Sequence, residues 1–126
     1  MFTKILMTGS AVFLIGTGLA FSFLPREIQS LLQEGTQGEI AWLLQILGAL
    51  LLGFGMLNWM ARGNLMGGIY SRPVAMGNFL HFSIGAVTLL KKSGSTDGFL
   101  IAITLVYSLL AFSFGMVLFG NPLKWN

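Results

Sequence analysis

The chain has no cysteine, one histidine and few charged residues, which make up 9% of its 126 positions. Without cysteine it can form no disulfide, perform no thiol redox chemistry and offer no thiolate to a metal. A soluble domain carries about 25% charged residues, so this composition excludes an ordinary soluble fold. The net charge of +3 comes with no basic run beyond Lys91-Lys92. We therefore predict no nucleic-acid partner. The basic residues are more simply explained as anchors to anionic membrane lipids.

Four uncharged apolar stretches occupy most of the chain, each 18 to 26 residues long. A helix needs about 20 apolar residues to cross the hydrocarbon core of a bilayer, and its backbone groups must be satisfied within the helix. The sequence predicts an all-α integral membrane four-helix bundle that forms a single domain over residues 1–126. The predicted spans are 5–24, 40–60, 74–91 and 98–119.

A proline-led segment follows the first span. Pro25 is expected to end that span, because the residue before a proline is disfavoured in a helix. Ile28, Leu31 and Leu32 then recur at the spacing of one helix face. We predict a short amphipathic helix that lies in the membrane interface after the first span.

The distribution of basic residues predicts the orientation. With four spans both termini lie on one side, and cytoplasmic segments carry an excess of Lys and Arg. The side of the termini would hold four basic residues and the other side three: Lys4, Arg62, Arg72 and Lys124 against Arg26, Lys91 and Lys92. We predict cytoplasmic termini.

No Asp, Glu, Lys or Arg lies inside the four apolar stretches. Charged side chains within a membrane usually mark proton or ion pathways, so their absence argues against a coupled pump. The sequence contains no nucleophile with a base and an orienting acid, and no phosphate-binding or dinucleotide-binding motif. A lone His81 supplies too few ligands for a metal. We predict no enzymatic activity, no metal and no cofactor.

A polar cluster flanks the loop between the second and third spans, with His81 one turn into the third span. We predict that it gathers at one membrane face and binds a lipid headgroup. An alternative is an interfacial belt without a site, in which aromatic anchors sit at headgroup depth. The proposed ligands are Asn58, Arg62, Arg72, Asn78 and His81, and the anchors are Trp59, Tyr70 and Trp125.

Small residues predict where helices approach each other closely. The candidates are the pairs Gly16/Ala20, Ala49/Gly53 and Ala111/Gly115, together with Gly77 and Gly85 beside His81. Gln45, the one amide in a span away from the polar cluster, is predicted to be buried in an interhelical hydrogen bond.

The segments 53–63 and 72–81, together with the proline-led helix after the first span, resemble small bacterial four-span proteins of the broad DoxX-like group. The resemblance implies a four-helix bundle in a bacterial cytoplasmic membrane. The group has no motif that fixes an activity, so no functional residue is carried over from it.

Three functions remain open at this point. The first is a non-enzymatic accessory or structural subunit of a larger complex, or a lipid-binding protein. The second is a small homo-oligomeric transporter or channel with Asn78, His81 and Thr88 along the path. The third, a lipid-modifying enzyme, would need His81 as its base and Arg62 or Arg72 as a phosphate clamp.

Overall fold

A computed structural model of the chain describes residues 2–32, 41–64, 71–92 and 98–120. These residues are helical apart from short turns, and no strand occurs among them. The prediction of an all-α protein with four long apolar helices is confirmed. The helices are α1 (Phe2–Phe23), α2 (Pro25–Leu32), α3 (Ala41–Ala61), α4 (Arg72–Lys92) and α5 (Gly98–Phe119).

The four long helices have 21 or 22 residues each, and all are apolar enough to cross a membrane. At about 1.5 Å per residue they are about as long as the bilayer core is thick. All four expose large apolar side chains, for example Ile5, Leu50, Ile84 and Leu105. A water-soluble protein rarely exposes large apolar side chains along every helix, whereas lipid covers them in a bilayer. The chain is a multi-pass membrane protein.

One residue, Leu24, separates the end of α1 from the start of α2, and Pro25 begins α2 as predicted. Leu24 is bonded to both helices: its N donates to the Ala20 carbonyl oxygen of α1 (2.8 Å), and its carbonyl oxygen accepts from Ile28 N of α2 (3.0 Å). Helix α2 is strongly amphipathic: it buries Ile28 and Gln29 and exposes Arg26. The predicted short amphipathic helix is therefore present, while its place in the membrane interface stays a prediction.

Contacts divide the chain into two compact units, Thr8–Met60 and Met1–Met7 with Ala61–Asn126. The first contains most of α1, together with α2 and α3, and the second contains α4 and α5. The prediction of a single domain stays a prediction.

In the first unit, α1 and α3 run antiparallel and approach each other at glycines. A Cβ added to Gly48 would lie 2.7 Å from the backbone nitrogen of Ser22, and one added to Gly18 would lie 2.7 Å from that of Leu52. Further along, a Cβ on Gly55 would lie 2.9 Å from the nitrogen of Ile15. Only residues without side chains allow two helix backbones to come this close.

The glycines used in this contact are not the ones predicted. A Cβ added to Gly16 or to Gly53 would have no described atom within 4 Å, and Ala49 is exposed. Gln45 is exposed too, so its predicted burial was wrong. Helix α3 is apolar on every side, so its hydrophobic pattern gives no indication of which face turns inward.

In the second unit, α4 and α5 run antiparallel and pack through aromatic rings. Phe82 stacks on Phe114, with 5.8 Å between ring centroids, and meets Tyr107 edge to face at 5.1 Å. Gly85 lies against Tyr107, where a Cβ would come within 2.6 Å of the ring. A Cβ on Gly115 would lie 3.2 Å from the Phe79 ring. The predicted close contacts at Gly85 and Gly115 are confirmed.

Candidate functional site

Arg72 is the first residue of α4, and its side chain is exposed. It follows the buried Ser71, and serine is a preferred residue type just before a helix. Pro73 lies in the first turn, where a missing N–H leaves no hydrogen bond unmade. The local sequence therefore starts a helix here and holds a cation at its entrance.

An apolar groove adjoins Arg72. Because α4 and α5 are antiparallel, the last turn of α5 lies beside the first turn of α4. The groove has a volume of about 430 Å³ and is lined by Arg72, Pro73, Met76, Leu118 and Phe119. It thus combines one cationic side chain with four apolar ones, at a helix end.

His81 lies deeper than the sequence predicted. Helix α4 begins at Arg72, so His81 is its tenth residue and lies near its middle, not one turn into it. The two residues are about 13.5 Å apart along the helix axis, at about 1.5 Å per residue. If Arg72 contacts headgroups, His81 lies well inside the hydrocarbon.

His81 is half-buried and pairs with Tyr107 of α5. Its Nε2 lies 3.1 Å from the Tyr107 hydroxyl oxygen, and either group can donate the hydrogen, depending on the tautomer. Tyr107 is the tenth residue of α5, so both partners sit at the same mid-helix level. The pair satisfies two polar groups that would be costly to leave alone in hydrocarbon.

Asn58 belongs to the other unit and is fully buried. Its Nδ2 donates to the Ser10 hydroxyl oxygen at 3.1 Å, which joins α3 to α1. This residue therefore has a structural partner inside its own helix pair. That it joins Arg62, Arg72, Asn78 and His81 around one ligand stays a prediction.

The remaining predicted site residues are distributed as follows. Asn78 is fully buried and donates from Nδ2 to the Val74 carbonyl oxygen, 2.9 Å away in the same helix. Arg62 is partly exposed in the turn after α3, and Trp59 is 39% exposed. The predicted anchors Tyr70 and Trp125 lie outside the described residues. The structure thus puts Arg72, Asn78 and His81 on one helix at increasing depth.

Thr88, the third member of the predicted polar face of α4, is exposed and donates to the Ile84 carbonyl oxygen at 2.9 Å. Thr104 of α5 does the same to Leu100 at 2.6 Å. Such bonds to the preceding turn satisfy a hydroxyl without a second helix.

Within the described ranges, no group of three or more His, Cys, Asp or Glu side chains is placed to hold a metal.

Sequence reasoning missed Tyr107, Ser10 and the wall formed by Leu118 and Phe119. A signal for Tyr107 was available, because a tyrosine in the middle of an apolar span needs a partner for its hydroxyl. Ser10 carries a weaker signal, since serines commonly bond to their own helix. The groove wall carries none, because it depends on which faces of α4 and α5 meet.

No family model, curated protein or solved structure matches the chain significantly. The resemblance to the DoxX-like group therefore stays a prediction.

Proposed function

We propose that the chain is a non-enzymatic multi-pass protein of a bacterial cytoplasmic membrane, an accessory or structural subunit that binds an anionic phospholipid where α4 begins. The observation that carries this proposal is the exposed Arg72 at the mouth of an apolar groove. Of the predicted headgroup ligands, the proposal takes Arg72 as the cation because it adjoins this groove.

Physical chemistry favours a phospholipid at this position. A guanidinium group can donate two parallel hydrogen bonds to a phosphate, and a basic residue near an anionic membrane surface contributes about 1 kcal/mol of attraction. The groove of about 430 Å³ falls within the range of roughly 300–1,000 Å³ that is usual for small-molecule sites. Its apolar walls suit an acyl chain, which reaches them from the bilayer without crossing water.

The absence of charge from the apolar stretches supports a non-enzymatic role. His81, the candidate base, is hydrogen-bonded to Tyr107 about 13.5 Å along α4 from Arg72. A lipid phosphate held by Arg72 would therefore lie far from the only histidine of the chain. General acid-base catalysis needs the base within hydrogen-bond reach of the reacting group.

Native mass spectrometry of the purified protein tests the lipid site. The protein is reconstituted with phosphatidylglycerol and phosphatidylcholine of identical chains and then released from mild detergent. The unmodified protein should retain phosphatidylglycerol preferentially, Arg72→Gln should lose that preference, and Arg72→Lys should keep part of it. Lys91→Gln is the matched control, because it removes one exposed positive charge from the opposite end of the same helix. Equal retention by Arg72→Gln and the unmodified protein would contradict the proposal.

The proposed orientation has cytoplasmic termini and is supported by the excess of basic residues on their side. In this cysteine-free chain, Gln33→Cys and Gly67→Cys introduce single labelling positions on opposite sides. An impermeant thiol reagent should label the first in intact cells and leave the second unlabelled. The reverse pattern would overturn the orientation.

One observation favours the transporter or channel as a second candidate. The His81–Tyr107 pair places polar groups at mid-helix depth, where a path across the membrane would need them. In that case the purified protein should be a symmetric homo-oligomer, and its solute flux in liposomes should fall in His81→Phe. A stable hetero-complex with no flux favours the accessory subunit.

A further inference from the structure

A second apolar groove lies next to the one at Arg72. It runs along α5, has a volume of about 410 Å³ and is lined by Phe112, Gly115, Met116, Phe119 and Gly120. Phe119 lines both grooves and is therefore a wall that they share. The two spaces therefore meet at the last turn of α5, beside the first turn of α4.

This shared wall is held in place although 75% of Phe119 is exposed. Its ring meets that of Phe79 edge to face, with 5.7 Å between centroids and 84° between planes. Phe79 rests in turn against Gly115, where a Cβ would come within 3.2 Å of its ring. Phe79 thus supports Phe119 from inside the α4/α5 pair.

We propose that the two grooves hold the two acyl chains of a single anionic glycerophospholipid, with its phosphate at Arg72 and Phe119 between the chains. This inference rests on the proposed function and specifies the class of lipid at the same site. A diacyl lipid has one phosphate above two chains that diverge from one glycerol. One cation beside two apolar grooves of similar volume that share a wall matches that shape.

The depth of the grooves fits the same ligand. Phe112 lies seven residues before Phe119, which puts the far end of the second groove about 10.5 Å deeper along α5. Met76 extends the first groove about one turn below Arg72. Both chains would therefore run from the headgroup level into the hydrocarbon, in the direction that acyl chains take in the surrounding bilayer.

A competition between diacyl and lyso lipids tests the inference. Phosphatidylglycerol and lysophosphatidylglycerol share a headgroup and differ by one chain, and their retention is compared by native mass spectrometry. The unmodified protein should retain clearly more of the diacyl form than of the lyso form, because only the diacyl form has a second chain that can pack against the second groove. Met116→Trp, which fills the second groove, should remove most of this preference while lyso lipid is still retained.

Leu105→Trp is the matched control, because Leu105 lies on α5, is 66% exposed and lines neither groove. Phe119→Ala is a second test. It removes the ring that both grooves share without adding volume, and it should also reduce the preference for the diacyl form. Helical circular dichroism and thermal melting establish that each variant is folded.

The outcomes separate the two proposals. If Arg72→Gln abolishes retention but Met116→Trp and Phe119→Ala keep the diacyl preference, the headgroup site stands and the two-chain inference fails. If the unmodified protein retains both lipids equally, the inference fails as well. If Arg72→Gln retains both lipids undiminished, the proposed function itself is wrong.

Discussion

The α1/α3 and α4/α5 pairs are both antiparallel, but different atoms hold them together. In α1/α3 the backbones themselves touch, at Gly18, Gly48 and Gly55. In α4/α5 the contact runs through rings, and Gly85 meets the side chain of Tyr107, not a backbone. Apolar side chains gain nothing by leaving lipid for a helix interface, so close packing has to supply the stability of both pairs.

The difference predicts how each pair responds to added volume. A backbone atom cannot move aside without displacing a whole helix, whereas a ring can rotate or be replaced. The α1/α3 contact should therefore tolerate no side chain at its glycines. The α4/α5 contact should tolerate one if the facing ring is made smaller.

The largest effect is expected for Gly48→Leu. Its Cβ would lie 2.6 Å from the Ser22 hydroxyl oxygen and 2.7 Å from the Ser22 nitrogen, so α1 and α3 must separate. Overpacking of this kind costs about 1–3 kcal/mol or more. The measurement is thermal unfolding in detergent, monitored by circular dichroism.

Gly53→Leu is the matched control for that prediction. It makes the same substitution five residues further along α3, at a position where no described atom lies within 4 Å of an added Cβ. It should leave the melting temperature unchanged or raise it, because leucine favours the helix over glycine by up to about 1 kcal/mol. Equal losses at the two glycines would mean that α1 and α3 do not meet at Gly48.

A smaller loss of stability, which a second substitution should relieve, is expected for Gly85→Leu. The added side chain collides with the Tyr107 ring and should cost about 1–3 kcal/mol. In a Tyr107→Ala background the same substitution should cost much less, because the ring is gone. A double-mutant cycle measures this coupling. Additive effects of the two substitutions would contradict the contact between Gly85 and Tyr107. In α1/α3, by contrast, Ser22→Ala should not rescue Gly48→Leu to a comparable extent, since the Ser22 backbone nitrogen remains.

The two interhelical hydrogen bonds provide a finer comparison. Ser10→Ala removes a partner of Asn58 in α1/α3, and Tyr107→Phe removes a partner of His81 in α4/α5. Hydrogen bonds between membrane helices contribute about 0.6 kcal/mol on average and up to about 1.7 kcal/mol. Ser10→Ala should have the larger effect on unfolding, because Ser10 and Asn58 are fully buried whereas His81 is only half-buried.

The smallest effect is expected for Thr88→Val. Thr88 is exposed, and within the described ranges its hydroxyl bonds only to the preceding turn of its own helix. The change in unfolding free energy should stay within about 0.5 kcal/mol. If flux in liposomes nevertheless falls in this variant, Thr88 lines a path and the transporter becomes the better proposal.

The long helices could be predicted from the sequence because scarce charge limits each apolar stretch. The four predicted spans agree with the observed helices to within three residues at every boundary. Pro25 likewise predicted the break before α2, since its ring restricts the residue before it. These features depend on local composition and covalent geometry, which the sequence contains directly.

The packing faces could not be predicted in the same way. Gly48, Gly53 and Gly55 lie within two turns of one another on a helix that is apolar all round, so periodicity does not distinguish them. The prediction that His81 lies one turn into its helix was wrong, because His81 is the eighth residue even of the predicted span, nearly two turns from its start, and α4 begins two residues earlier, at Arg72. The groove at Arg72 needs the pairing of α4 with α5, which no single stretch of sequence specifies.

The bare glycines of α1/α3 also have a consequence at their Cα hydrogens. A Cβ on Gly48 would lie 2.9 Å from the carbonyl oxygen of Gly18, and one on Gly18 would lie 3.0 Å from that of Gly48. In the actual chain a Cα hydrogen takes the place of each Cβ, so we expect the two glycines to make reciprocal Cα–H···O contacts. Each such contact contributes about 0.5–1 kcal/mol, and its hydrogen should resonate downfield of an ordinary helical glycine. Gly18 and Gly48 would in this way hold α1 and α3 together. The NMR chemical shifts of their Cα hydrogens would also indicate the distance between the two helices.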